Sequence, residues 1–433
     1  MLYKVFTQFD CKNYLKSSFD GVERVVSRFV RQFEPIHMRA ESVPKTTAIK
    51  PKQQLIFLIM CVIMIFMKVT EISVSGYRNL KRQKINPSAG LNIFVGDNAQ
   101  GKTNLIESVY LCAIGKSPRT DKEKDLICRT EDKSYVKVDF CSRYGEGDVS
   151  FELSREQKRK IQVNSVPIAK TGELMGYFNC VYFSPTEIRI ISQSPAERRR
   201  FLDIDLCQTD KNYFYSLTRF NKVLAQRNNL LKTATLDELK ESIFVWDKQI
   251  AEEGAKIIFK RKNFCKKLVT LAYECHRQLS DGQESLLVKY VTQIEGETVA
   301  ELTKNYLNKL TENFEKDVAA RFTSCGCQRD DIMLKINDVD VRTFGSQGQQ
   351  RTTALSLKLA ELLVFKEIIG EYPVLLLDDV LSELDLSRQK RLLRFDEGLQ
   401  ILLTSATELP KELTAETECA IFDVKDGVVT KRS

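Results

Sequence analysis

The stretch that decides the fold is Gly96-Asp97-Asn98-Ala99-Gln100-Gly101-Lys102-Thr103. It fits the spacing G-x-x-x-x-G-K-[ST], in which two glycines let the backbone curl so that its N–H groups face phosphate oxygens. An apolar run at residues 91–95 precedes the stretch, and a helical pattern follows it. A strand, a glycine turn and a helix start in this order predict a phosphate-binding loop, rather than a glycine turn that merely begins a helix.

The residue types of this loop predict a nucleoside triphosphate as the ligand. Lys102 would reach the β- and γ-phosphates, and Thr103 would ligate Mg²⁺. The start of the helix adds a partial positive charge that favours an anion. We therefore expect ATP and Mg²⁺ as cofactors, with nucleotide contacts from the whole loop and from Asn104.

A hydrophobic strand that ends in two carboxylates supplies the second part of the predicted site. Residues 374–377 are Val-Leu-Leu-Leu, and Asp378 and Asp379 follow at once. Ligands of open α/β sheets bind at the carboxyl ends of the strands. We expect Asp378 to hold Mg²⁺ and Asp379 to orient or deprotonate the attacking water as the catalytic base. A strand followed by two acids is common, so this prediction depends on the phosphate loop in the same chain.

Two further segments resemble ATPases of the ABC class. Residues 344–351 precede a helical stretch and resemble the ABC signature Ser-Gly-Gly-Gln, with Gln347 in place of the first glycine. Leu381-Ser-Glu-Leu-Asp385 follows the carboxylates, where ABC proteins carry a segment that contacts the partner subunit. In that class the signature closes over the γ-phosphate held by the opposite subunit, so the resemblance implies a two-fold dimer with two equivalent sites. It implies catalytic roles for Lys102 and Ser346 and these nucleotide contacts outside the loop: Ser346, Gln347, Gly348, Gln349 and Asp385.

The chain resembles one family more closely, the RecF proteins of bacterial DNA gap repair. The phosphate loop, residues 345–352 and residues 375–385 carry the likeness, as do Ser184-Pro185, residues 198–203, residues 226–228 and Trp246-Asp247. The likeness runs from Met67 to near the C-terminus. It implies a cytoplasmic protein of replication and recombinational repair, active in the response to DNA damage (the SOS response).

The same resemblance implies a mechanism and partners. The protein would bind gapped or junction DNA, including single-stranded DNA, as an ATP-dependent homodimer. ATP hydrolysis would be weak, DNA-dependent and used as a release switch. A RecR-like mediator and a RecA-type recombinase would be its protein partners, and no stable membrane association is expected.

Three features depart from these families. RecF proteins usually carry Gly-Pro-His-Arg-Asp-Asp before the signature, whereas this chain has Gly326-Cys-Gln-Arg-Asp-Asp331, without the Pro and the His. The glutamine that ABC proteins use between their lobes cannot be placed in the sequence. Thr404-Ser405 stands where ABC transporters carry a histidine that senses the γ-phosphate. Two hydroxyl groups in that place are consistent with slow turnover.

The alternation of strand and helix patterns predicts an α/β fold with an inserted helical arm domain. The resemblance to ABC proteins implies an ABC-type ATPase head with a mixed sheet around the phosphate loop. Short runs such as 374–377 (Val-Leu-Leu-Leu) and 400–403 (Gln-Ile-Leu-Leu) suit the buried centre of a parallel sheet. Long amphipathic stretches follow one another at 198–206, 213–232 and 236–264. We predict a head in two parts, residues 67–186 and 326–433, with the arm at 187–325.

Residues 1–66 lie outside the resemblance. Residues 55–67 form an uninterrupted apolar run of 13 residues, shorter than the roughly 20 residues that a membrane-spanning helix needs. A buried or interfacial helix, an unusual anchor and an untranslated segment are all open interpretations. We favour the last, with Met67 as the true start.

The net charge of +8 is weak support for a DNA-binding protein, because residues 1–66 alone hold ten Lys and Arg against five Asp and Glu. A DNA site therefore has to be a local patch. At least one of the three successive arginines 198–200 must point inward or pair with a carboxylate such as Asp203. Each candidate cation has solvated surface as its alternative interpretation. The candidate phosphate contacts are Lys116, Arg119, Arg198, Arg199, Arg200, Arg219, Lys222 and Arg227.

Twelve cysteines and two histidines predict no metal cluster. The cysteines are scattered without paired CxxC motifs, which is typical of reduced thiols in the cytoplasm.

Two other function classes share parts of the pattern. The energy subunit of an ABC-type transporter has the same loop and signature, but the long helical insertion and Thr404-Ser405 argue against it. A chromosome-organising SMC-like ATPase needs long coiled-coil arms, and the predicted arm is too short for one.

Overall fold

The computed structural model describes residues 66–396, 398–414 and 419–432. The predictions for the N-terminal segment fall on residues 1–65, including most of the apolar run at 55–67, which lie outside these described residues. Where the description begins, Phe66 stacks on Tyr372 with their ring centroids 6.0 Å apart, and Met67 is buried. Within the described part of the chain, no helix is long and apolar enough to span a bilayer.

The described strands form three sheets. In chain order they are β1 Lys68–Ser75, β2 Gln83–Ile85, β3 Leu91–Val95, β4 Lys133–Ser142, β5 Gly145–Ser154, β6 Lys160–Val163, β7 Val166–Ile168, β8 Cys180–Phe183, β9 Leu286–Val291, β10 Asp331–Ile336, β11 Val339–Asp340, β12 Val374–Asp378, β13 Ile401–Ser405, β14 Cys419–Lys425 and β15 Val428–Lys431.

The longer helices lie mostly in the middle of the chain. They are α1 Lys102–Ile114, α2 Pro195–Thr209, α3 Lys211–Thr233, α4 Leu236–Leu279, α5 Val299–Glu312, α6 Phe314–Ala320, α7 Gln347–Ile369 and α8 Leu386–Leu393. Shorter helical turns occur at Glu123–Leu126, Thr171–Leu174, Pro185–Ile188, Arg189–Ser192, Cys327–Arg329, Val341–Phe344, Leu381–Glu383 and Lys411–Thr414.

The sheet that carries the predicted site is built from distant parts of the chain. Its strand order is β15-β14-β3-β13-β12-β8, and every pair is parallel except the edge hairpin of β14 and β15. Leu375 and Leu377 of β12 face one hydrophobic core, and Leu376 faces the other. A strand covered on both faces explains why its sequence is an unbroken apolar run, as predicted.

The second six-stranded sheet is antiparallel, in the order β2-β1-β4-β5-β6-β7. The apolar side chains of α1 pack in one core with those of both six-stranded sheets. Gln400 also connects the two sheets, because its side-chain oxygen accepts from the N–H of Val69 at 2.7 Å and its nitrogen donates to the Val69 carbonyl at 2.9 Å. The phosphate-loop helix is therefore held between two layers.

The middle of the chain is mainly helical, with two differences from the sequence analysis. Helix α4 continues to Leu279, beyond the expected end at 264, because Leu268, Ala272 and Cys275 extend its buried stripe. Residues 286–291 form the strand β9, which pairs with β10 in an antiparallel sheet of three strands, β11-β10-β9. This sheet joins residues on both sides of position 325, and the division of the chain into head and arm stays a prediction.

Candidate functional site

The phosphate loop adopts a conformation that requires its two glycines. Gly101 precedes α1 with φ of 118°, a left-handed value that disfavours any side chain. A Cβ atom on Gly96 would lie 2.2 Å from the carbonyl oxygen of Val424. The loop is thus shaped by the end of β3, the start of α1 and the neighbouring strand β14.

Lys102 is the buried cation of the loop. Its Nζ donates to the carbonyl oxygens of Gly96 and, at 2.8 Å, Asp97. Burial lowers the pKa of Lys102, and the carboxylates of Asp379, Asp97 and Asp378 oppose that shift. The ammonium group is therefore directed into the loop, where phosphate oxygens could take the place of the two carbonyls.

Asp378 lies at the meeting point of three elements. Its Oδ1 accepts from the hydroxyls of Thr103 at 2.8 Å and Thr404 at 2.9 Å, and its Oδ2 accepts from the Tyr182 hydroxyl at 3.2 Å. A hydroxyl and a carboxylate at this distance are the hard oxygen donors that suit Mg²⁺. Thr103 and Asp378, which were predicted together from the sequence, could hold this ion.

Tyr182 is a site residue that the sequence analysis missed. Burial, and after it the Asp378 carboxylate, raises the pKa of Tyr182, so its hydroxyl stays a hydrogen-bond donor. The sequence carries part of the signal, because Val-Tyr-Phe at 181–183 is typical of a short strand. Only the pairing of β8 with β12 brings this tyrosine beside Asp378.

Asp379 follows with an unusual backbone conformation. Its φ is 55°, and its N–H donates to Thr404 Oγ1 at 2.9 Å. Burial and the Asp378 charge raise the pKa of Asp379, whereas Lys102 lowers it. A carboxyl with a raised pKa is a stronger base than an ordinary aspartate, which suits the predicted role. The Thr404 hydroxyl thus donates to Asp378 and accepts from the backbone of Asp379, and a γ-phosphate contact by Thr404 stays a prediction.

The signature motif, residues 346–349, begins the second helix that could bind an anion. Ser346 caps α7 and accepts from the N–H of Gln349 at 3.2 Å, while Gln349 Oε1 accepts from the N–H of Ser346 at 3.0 Å. Ser346, Gln347 and Gly348 are exposed. Among the described hydrogen bonds, none joins this motif to the phosphate loop of the same chain.

The segment after the carboxylates is connected to the signature helix. Arg351 of α7 forms an ion pair with Glu383. Asp385 caps α8, where its carboxylate accepts from the Arg388 N–H at 3.0 Å and from the Arg388 side chain at 2.6 Å. A nucleotide contact by Asp385 stays a prediction, because both of its oxygens are engaged within its own helix.

The chain is similar in sequence to known proteins of one family. A protein-family model described as the RecF/RecN/SMC N-terminal domain matches residues 68–430. The DNA replication and repair protein RecF of Alkaliphilus oremlandii is 42% identical over 367 residues, which cover 84% of this chain and 100% of that protein. RecF of Clostridium kluyveri is 43% identical over 368 residues, with 84% and 100% covered. The chain belongs to the RecF family.

Solved structures agree with this assignment. A structure of the recombination mediator protein RecF with ATP, from the RecFOR pathway, matches with a TM-score of 0.78 and 36% identity, over 86% of this chain and 99% of that one. The Smc head domain from Pyrococcus furiosus matches with a TM-score of 0.50 at 16% identity, over 85% and 96% of the two chains, and shows the fold alone. The predicted ABC-type head of the RecF and SMC kind is therefore confirmed.

Two of the predicted DNA contacts are wrong for this RecF-family chain. Arg198 is 3% exposed and donates to both carboxylate oxygens of Asp331, at 2.6 and 3.0 Å. Arg227 is fully buried and pairs with Asp247 at 2.6 Å and Asp317 at 2.7 Å. The helical period held the signal for Arg227, because it continues the buried stripe of α3 through Phe220 and Val223.

The other candidate cations lie at or near the surface. Arg199 is half-buried and donates to the Asp330 carbonyl at 2.7 Å. Arg198 is the arginine of the run 198–200 that points inward, as expected. Asp203, which was named as a possible carboxylate partner for the run, pairs with Arg261. Arg119 lies beside the phosphate loop, since it donates to Asn104 Oδ1 at 2.9 Å. The exposed candidates are Lys116, Arg119, Arg200, Arg219 and Lys222.

Side chains of residues 326–331 connect α4 to the three-stranded sheet. Asp330 is buried and accepts from the Tyr290 hydroxyl, with Arg261 of α4 at 3.5 Å. Gln328 stands in the place of the family histidine and donates to the Cys325 carbonyl at 2.7 Å. The acidic residues of the run are thus structural partners of buried arginines.

Substitutions of a buried and an exposed arginine on α3 test whether the buried arginine stabilises the fold. We expect Arg227→Ala to lower the free energy of unfolding by about 3–5 kcal/mol, because it leaves two buried carboxylates without their cation. Arg219→Ala is the matched control, and it should change the free energy by less than about 0.5 kcal/mol, because its guanidinium is exposed and Glu253 keeps a second cation, Lys256, at 3.0 Å. Urea unfolding followed by circular dichroism measures both, and equal effects would contradict the burial argument.

Proposed function

We propose that the chain is an ATP-gated DNA-binding protein of replication and recombinational gap repair, in which two copies of the head enclose the nucleotide. The observation that carries the proposal is the presence of two anion-binding helix starts in one chain, at α1 and α7, without a hydrogen bond between them. A triphosphate held at Lys102 of one protomer would meet Ser346 of the second. The relatives named DNA replication and repair protein RecF, and the RecF structure with ATP, support this reading.

The loop residues would exchange their internal contacts for the nucleotide. Lys102 would release the carbonyls of Gly96 and Asp97 and donate to phosphate oxygens instead. Thr103 and Asp378 would hold Mg²⁺, which neutralises charge on the phosphate oxygens. Tyr182 and Thr404 would keep the Asp378 carboxylate in place.

Asp379 is the proposed base of a slow hydrolysis reaction. Its raised pKa favours proton removal from water, while Thr404 accepts from its backbone N–H and holds the turn. Hydrolysis would remove the group that Ser346 grips and so open the dimer. ATP thus serves as a switch for DNA release in this proposal.

The exposed cations provide the proposed DNA contact. Lys116 and Arg119 follow the phosphate-loop helix, Arg200 lies on α2, and Arg219 and Lys222 lie on α3. Contacts of lysine and arginine to phosphate carry affinity without sequence information, which suits recognition of gaps and junctions. We propose that a RecR-like mediator and a RecA-type recombinase act with this complex in the cytoplasm.

Removal of the loop cation tests nucleotide binding. We expect Lys102→Ala to weaken ATP binding by about 100-fold, because it removes charge-assisted contacts to the phosphates. Dimerisation with ATP should disappear as a consequence. Equilibrium binding of a fluorescent ATP analogue measures the first effect and sedimentation velocity the second. The exposed Lys84→Ala is the control and should behave as the wild type.

The signature serine tests whether the site is shared between protomers. We expect Ser346→Ala to leave the ATP affinity of the monomer within about twofold and to weaken the ATP-dependent dimer about tenfold, because one donor to the opposite phosphate is lost. Thr235→Ala removes an equivalent capping box at the start of α4 and controls for the loss of a cap. Weaker ATP binding by monomeric Ser346→Ala would contradict the composite site.

The proposed base has its own test. We expect Asp379→Asn to slow ATP hydrolysis by about 100-fold or more and to prolong the ATP-bound dimer on gapped DNA, because the amide cannot accept the proton of water. Single-turnover hydrolysis and the dissociation rate from labelled DNA are the two measurements. Hydrolysis at the wild-type rate would remove Asp379 from this role.

A further inference from the structure

The side chain of Gln349 takes part in two contacts at once. Its Oε1 completes the capping box with the N–H of Ser346 at 3.0 Å, and its Nε2 donates to Glu284 Oε1 at 2.8 Å. The amide group is planar, so the contact at its nitrogen sets the direction of its oxygen. The position of Glu284 therefore determines how the capping box at Ser346 is formed.

Glu284 is held in turn by the buried His276. The distance from His276 Nε2 to Glu284 Oε2 is 3.1 Å, and Nδ1 lies 3.0 Å from the Ser356 hydroxyl oxygen. His276 is completely buried, and burial lowers the pKa of its ring although Glu284 opposes the shift. Nε2 faces a carboxylate and therefore donates, while Nδ1 and the Thr352 carbonyl, which is 2.7 Å from the Ser356 hydroxyl oxygen, are alternative acceptors for the one hydroxyl proton. The imidazole thus lies between Glu284 and Ser356, which is on the signature helix α7.

The same histidine belongs to the longest helix of the molecule's described part. Helix α4 has 44 residues, which corresponds to a length of about 66 Å. It packs against α3 and α5 along its course and against α7. His276 lies in its last turn, and only a short turn separates the helix from Glu284. A shift of α4 against α7 would move Glu284 and change the support of Gln349.

We propose that Glu284, held by His276, is a positioning residue that connects the long helix α4 to the signature serine. The inference rests on the proposed function, in which Ser346 acts on the nucleotide of a second protomer. It adds a physical connection through which DNA contact on α2 and α3 would change the position of that serine. The connection consists of α4, His276, Glu284 and Gln349.

The test compares three substitutions at Glu284. Relative to the wild type, Glu284→Ala is expected to leave the ATP affinity of the monomer within about twofold and to weaken the ATP-dependent dimer about tenfold, the effect of one lost hydrogen bond to a charged group. Amide hydrogen exchange of residues 344–350 should become faster in the protein without nucleotide. Glu284→Gln keeps an acceptor for Gln349 and can donate to the other tautomer of His276, so it should restore both properties. Glu284→Asp keeps the charge but shortens the side chain, and it should share the defect.

The control is Glu274→Ala, which removes a half-exposed carboxylate of α4 that pairs with Arg277. Wild-type dimerisation and exchange in Glu284→Ala would overturn the proposal, and if that variant does not fold, Glu284→Asp decides in its place. Failure of the wild type to dimerise with ATP would overturn the proposed function instead. The exchange rates of residues 344–350 would then still decide the positioning role, since they need no nucleotide.

Discussion

The carboxylate of Asp378 determines the arrangement of this protein's site. Asp378 Oδ1 receives hydroxyl donors from Thr103 at the start of α1 and from Thr404 on β13, while the second oxygen receives Tyr182 from β8. These residues are far apart in the chain, and they meet because the strands run parallel in a defined register, with Asp378 opposite Thr404. A register slip by one residue would turn Asp378 to the other face and separate the set.

The two halves of the proposed composite site are supported by separate networks. The phosphate loop depends on Asp378 and on close contact with β14, whereas the signature motif depends on Gln349, Glu284 and His276. The ion pair of Arg351 with Glu383 connects α7 to the segment that follows Asp379. In the proposed mechanism, the middle helices would affect the signature without changing how one protomer holds its own nucleotide. Nucleotide binding and dimer closure would then be separate events.

Buried arginines divide the basic residues of the chain into two groups. Arg198, Arg227 and Arg261 each pair with carboxylates inside the protein, and they join α2, α3 and α4 to the residues around 317 and 331. A buried charge without its partner costs several kcal/mol, so these pairs restrict how the helices can be placed. Of the predicted phosphate contacts, Lys116, Arg119, Arg200, Arg219 and Lys222 remain exposed.

The sequence by itself determined the phosphate loop, the carboxylate strand, the signature helix and the family, because each depends on a local pattern of neighbouring residues. It also predicted the parallel sheet, since strands buried on both faces must be apolar throughout. Tertiary structure alone decided that Tyr182 contacts Asp378, which carboxylates pair with Arg198 and Arg227, and that residues 286–291 pair as a strand with 331–336. These features depend on contacts between residues tens to hundreds of positions apart. A helical stripe can mark a charged position as inward-facing, as it does for Arg227. The carboxylates that pair with such a side chain come from distant segments that only folding brings near.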